Sequence, residues 1–61
     1  MIIEGYVVVG DYQGFLHVLK PEDGSFVGRL PTDGSAIQAI VKAPGGLVAQ
    51  TANGSVVMVR F

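Results

Sequence analysis

Short apolar runs of about five to seven residues fill the chain, each closed by glycine, proline, asparagine or aspartate. β-Branched and aromatic residues dominate them, as in Tyr6-Val7-Val8-Val9, Phe15-Leu16-His17-Val18-Leu19 and Val56-Val57-Met58-Val59. Such residues suit a pleated, half-buried surface. The punctuation predicts six strands, over Gly5–Asp11, Phe15–Lys20, Ser25–Pro31, Ala36–Lys42, Leu47–Thr51 and Ser55–Phe61. No run keeps a 3.6-residue apolar period, so no helix longer than a turn is expected.

The connections have local causes. Asp11-Tyr12-Gln13-Gly14 is a tight hairpin turn in which glycine supplies a positive φ. In Pro21-Glu22-Asp23-Gly24, proline presets the first turn residue and Gly24 takes the left-handed position that forms a bulge. Ala52-Asn53-Gly54 carries the Asn-Gly hairpin signal. Ala43-Pro44-Gly45-Gly46 is a further hairpin turn, and Thr32-Asp33-Gly34-Ser35 a looser connection.

Alternation along the strands leaves both faces apolar. Phe15, His17 and Leu19 share one face and Leu16, Val18 and Lys20 the other. A free-standing antiparallel sheet has one wet, polar face. Two apolar faces imply that sheet packs on sheet on either side.

An internal repeat gives the architecture. Shifted by 40 residues, Gly5 falls on Gly45, Val7 on Leu47, Val9 on Ala49, Gly14 on Gly54, Leu16 on Val56, Val18 on Met58 and Lys20 on Arg60, without a gap. A period near 40 with about four short strands per unit is the pattern of β-propeller blades. The expected fold is an all-β antiparallel meander of about one and a half blades. Residues 1–35 form the first blade, with three strands and a remnant of a fourth at Met1-Ile2-Ile3. Residues 36–61 form three strands of a second. Propellers need at least four blades, so the chain reads as a piece of a longer one or as a unit that assembles from copies.

Composition narrows the functions. Charged residues are only 15% against 49% hydrophobic, where an average soluble domain has about 25% charged. A chain this small ordinarily has the more polar surface, so much of this surface is meant to be covered. Lys20, Arg29, Lys42 and Arg60 are scattered singly, and the formal net charge is −1. No basic patch for nucleic acid results. No apolar run approaches the roughly 18 residues that span a membrane as a helix. The start, Met1-Ile2-Ile3-Glu4-Gly5, has neither the basic stretch nor the longer apolar stretch of a secretion signal. Cysteine is absent, which excludes disulfides, zinc–thiolate sites and cysteine nucleophiles.

No catalytic, cofactor-binding or metal-ligating residue is assigned. His17 is the single histidine and sits mid-strand, the setting of a packed or rim residue. Asp11 ends a strand and is expected to accept backbone N–H groups in an Asx turn. Glu22 and Asp23 are explained by their Pro-x-x-Gly turn, since paired glycosidase carboxylates need a fixed cleft. Asn53-Gly54-Ser55 matches a glycosylation sequon by coincidence. The glycines form no phosphate-binding loop. Exposed strand edges are the functional feature that remains, because they offer unpaired backbone groups to another strand.

Tyr6-Val7-Val8-Val9-Gly10-Asp11-Tyr12-Gln13-Gly14-Phe15-Leu16-His17-Val18-Leu19, with Glu22-Asp23-Gly24-Ser25-Phe26-Val27, resembles the C-terminal blades of the BamB family. Asp33-Gly34-Ser35-Ala36-Ile37-Gln38 and Asn53-Gly54-Ser55-Val56-Val57 fit the same place. The resemblance implies a non-catalytic scaffold in outer-membrane β-barrel assembly. It also implies a lipid-anchored parent on the periplasmic side and BamA-like protein partners. Neither a cofactor, nucleic acid nor direct membrane insertion is implied, and the missing outermost strand of the second blade would come from the parent's N-terminal end. The broader quinoprotein-like repeat carries a blade-docking tryptophan where Gly28 stands here, which argues against a quinone-dependent dehydrogenase. The alternative is a self-assembling blade module, natural or engineered, whose copies pair through edge strands or exchange hairpins.

Overall fold

The computed structural model describes all residues, 1–61, and contains seven strands and no helix. They are β1 (Ile2–Ile3), β2 (Tyr6–Gly10), β3 (Phe15–Leu19), β4 (Phe26–Pro31), β5 (Ile37–Ala43), β6 (Gly46–Thr51) and β7 (Val56–Arg60). β1 to β4 form one antiparallel sheet in chain order, and β5 to β7 a second. All six expected strands are present, with ends that differ by no more than one residue. The seventh, β1, is the N-terminal remnant, joined to β2 by a two-residue turn. Glu4 (φ 51°) and Gly5 (φ 81°) are both left-handed there, the geometry of a type I′ hairpin.

The repeat is visible in the turns. After β2, the Asp11 N–H donates to the Phe15 carbonyl (3.0 Å) and the Gly14 N–H to the Asp11 carbonyl (3.4 Å). Forty residues on, the Thr51 N–H donates to the Ser55 carbonyl (3.0 Å) and the Gly54 N–H to the Thr51 carbonyl (3.0 Å). Gly14 and Gly54 close these turns at φ 88° and 92°, where any other L-residue is strained. Asn53 keeps a negative φ, so the second hairpin is a three-residue turn closed by glycine rather than a two-residue Asn-Gly turn. Gly24 takes the expected left-handed conformation (φ 71°), and the break in the strand pairing lies further along. Leu19 pairs with Phe26 and Val18 with Gly28, which leaves Val27 as the extra residue.

Packing joins one face of each sheet. Ile3, Val8, Leu16 and Val18 of the first sheet meet Leu47 and Ala49 of the second in a single core. We call the first sheet's packed face its front and the second sheet's packed face its back. Register then fixes what points the other way. Val9 pairs with His17, His17 with Arg29, and Leu19 with Phe26, on the back of the first sheet. Val41, Val48 and Met58 lie in one cross-strand row on the front of the second. These two faces are open: Phe26 is 69% exposed, Val56 69% and Met58 63%. Sheet-on-sheet cover, expected on both sides, is present on one side of each sheet. The core is correspondingly small, with nine residues of 61 buried.

Candidate interaction surface

The segment between the sheets is pinned at both ends rather than loose. The Thr32 N–H and hydroxyl both donate to the Gly14 carbonyl, at 2.9 and 2.6 Å. The Ile37 N–H donates to the Asp11 carbonyl (3.0 Å) and the Ala52 N–H to the Ala36 carbonyl (2.8 Å). Asp33 supplies the side-chain centre. Its Oδ1 accepts the Ser35 N–H (2.9 Å) and hydroxyl (2.7 Å), and its Oδ2 accepts the Thr51 hydroxyl (2.7 Å). The Ser35 hydroxyl bond, with those from Thr51 and the Ser35 N–H, holds the Asp33 carboxyl far below the usual carboxylate range. The two tight turns are thereby bound to one linker, which fixes the sheet-to-sheet geometry.

The candidate residues fall where the turns put them. Asp11 Oδ1 accepts the N–H groups of Gln13 and Phe15, each at 2.9 Å, as an Asx turn does. Its Oδ2 accepts His17 Nε2–H at 2.7 Å. This bond, ahead of the Phe15 N–H, lowers the Asp11 pKa. His17 is half-buried on the open back face, edge-on to Phe26 with ring centres 5.9 Å apart. The Arg29 guanidinium lies 4.9 Å from the centre of the Phe15 ring beside it. Asp23 Oδ1 accepts the Ser25 N–H (3.0 Å), a turn role, and Glu22 is exposed in the same turn. Asn53 lies exposed in the β6–β7 turn, where its backbone N–H donates to the Ser35 hydroxyl (3.2 Å). His17 and Asp11 meet as a pair, and no three His, Cys, Asp or Glu side chains converge.

Chemistry gives way to surface in this molecule. Beyond the two open faces, β4 and β7 each have one side without a strand partner. Between the sheets at this end runs a cleft of about 380 Å³, lined by Tyr6, Val18, Gly28, Leu30, Val59 and Phe61 among others. A Cβ built on Gly28 would meet nothing within 4 Å. The tryptophan of the quinoprotein-like repeat would project from this position, so its absence opens the cleft. Tyr6 and Phe61 close one wall edge-to-face, with centroids 5.7 Å apart.

An all-β chain of repeated hairpins, with one packed interface and two uncovered apolar faces, has the form of consecutive propeller blades. Its sequence matches the outer membrane protein assembly factor BamB of Burkholderia pseudomallei at 55% identity over 51 residues, 82% of this chain. BamB of Bordetella pertussis is 44% identical over 55 residues, and that of Escherichia coli K12 40% identical over 57, which are 88% and 92% of the chain. The chain is a BamB-like sequence. It spans 13 to 14% of the length of these relatives. No protein-family model matches it.

Two features escaped the reading of the sequence. The Asp11–His17 pair joins residues six apart across a hairpin, and the parity of positions 9, 11, 15 and 17 was its available signal. The Asp33–Thr51 bond spans 18 residues. Its one local cue was Asp-x-Ser, an Asx-turn pattern within the linker.

Proposed function

We propose that this chain serves as the C-terminal blades of a BamB-like propeller, a non-catalytic scaffold for outer-membrane β-barrel assembly. Residues 1–35 make one blade and 36–61 three strands of the next. The observation that carries this reading is the pair of apolar faces either side of a packed blade interface, in a chain 40 to 55% identical to BamB proteins. Such faces suit neighbouring blades, and the free side of β7 suits a fourth strand from elsewhere in a parent chain. The periplasmic location, the lipid anchor and binding to BamA-like partners belong to that parent.

The test is a chimera in which this sequence replaces the matching segment of Escherichia coli BamB. The expected result is a folded chimera that co-purifies with BamA and restores outer-membrane barrel levels in cells lacking BamB. A folded chimera that does neither overturns the proposal. The open faces also favour a second reading, in which the chain on its own assembles with copies of itself.

A further inference from the structure

We propose that copies of this chain stack face to back, the front of the second sheet on the back of the next copy's first sheet, and close into a ring. The inference rests on the second reading above and gives it a geometry. The two sheets are successive repeats, with β2 and β3 matching β6 and β7 under the 40-residue shift. Their shared interface is not symmetric. Leu16, on the front of the first sheet, shares the core with Ala49, on the back of the second, and both are 0% exposed.

Applying the same step again leads to the open surfaces. The repeat equivalent of Leu16 is Val56, on the uncovered front of the second sheet, 69% exposed. That of Ala49 is Val9, on the uncovered back of the first, 47% exposed. The unused half of each interface is therefore present on the same molecule, at the opposite end. Apolar residues lead both halves: Val41, Val48, Val56 and Met58 on one, beside Gln50 and Arg60, and Val7, Val9 and Phe26 on the other, beside His17 and Arg29. A head-to-tail contact that repeats a rotation gives a closed ring when the rotation closes. Propellers close with about four to eight sheets. Two sheets per chain give two, three or four copies. The surfaces engaged are faces, so the free sides of β4 and β7 are not consumed.

Light scattering on the folded 61-residue chain reads the assembly directly. The expected mass is two, three or four times 6.4 kDa, with a β-type far-ultraviolet spectrum. Because cysteine is absent, Val9→Cys and Val56→Cys give single thiols. A short bis-maleimide should link the mixed variants into dimers and link each variant alone only weakly. A folded monomer, a disordered chain or an open-ended polymer overturns the ring. A discrete oligomer whose single variants cross-link as strongly as the mixture overturns the face-to-back order alone. That outcome leaves self-assembly standing, and neither result bears on the BamB chimera.

Discussion

Thr51 occupies in the second sheet the place that Asp11 occupies in the first, 40 residues earlier. Each side chain accepts the N–H four residues on: Phe15 to Asp11 at 2.9 Å, Ser55 to Thr51 at 3.1 Å. They differ in what lies on the other side. Asp11 faces His17, a donor, whereas Thr51 faces Asp33, an acceptor. Position 51 calls for a hydroxyl, because the Thr51 Oγ1 both accepts from the Ser55 N–H and donates to Asp33.

Substitution at Thr51 tests this. Thr51 is 1% exposed. Thr51→Val should cost about 1–3 kcal/mol, by leaving the Ser55 N–H and one Asp33 oxygen without their partner. Thr51→Asp should cost more, although aspartate serves at the equivalent position, because it sets two carboxylates against each other. Urea unfolding of the three proteins gives the order.

Acid should unfold the chain through its turn aspartates. Asp11, Asp23 and Asp33 all have lowered pKa values in the fold, caused first by hydrogen bonds from His17, the Ser25 N–H and the Ser35 hydroxyl respectively. A depressed folded-state pKa adds stability that is complete above the unfolded value, near 3.9, and is lost as pH falls through the folded one. The thermal midpoint should therefore hold between about pH 7 and pH 5 and fall steadily below about pH 4. Asp33→Asn should give a lower midpoint at neutral pH and a flatter acid limb. An unchanged acid limb would mean that the Asp33 bonds contribute nothing to folding.

Gly14 and Gly54 share a turn geometry but not a setting. A Cβ on Gly54 would meet nothing within 4 Å, whereas one on Gly14 would lie 2.7 Å from the Ser35 carbonyl oxygen. Gly54→Ala should cost about 1–2 kcal/mol, the strain of a left-handed alanine. Gly14→Ala should cost clearly more, because the backbone contact adds to the same strain. Equal losses in chemical denaturation would show that the linker yields.

Gly28 offers a gain. Its backbone lies outside the left-handed region and its Cβ direction is open. Gly28→Trp should insert an indole between Tyr6, Leu30 and Val59 and stabilise the chain by about 1–2 kcal/mol. The chain has no other tryptophan, so a blue-shifted emission maximum would report burial directly. Water-exposed emission with no gain in stability would show that the cleft does not admit the ring.

Strand positions, turn sites and the 40-residue repeat were legible in the sequence because their causes are local. β-Branched runs alternate with glycine turns, and a turn such as Asp11–Phe15 binds within four residues. The apolar character of both sheet faces was legible for the same reason, since parity alone assigns a side chain to a face. Which face would be covered was not. Leu16 and Val56 hold equivalent places in the repeat, yet one is fully buried and the other 69% exposed, because only one other sheet is at hand to pack against. The Thr51–Asp33 bond and the Thr32–Gly14 contacts join residues 18 apart. Periodicity is blind to such contacts. They exist because the linker crosses from one sheet to the next over both tight turns, and that crossing is set by the packing of front on back.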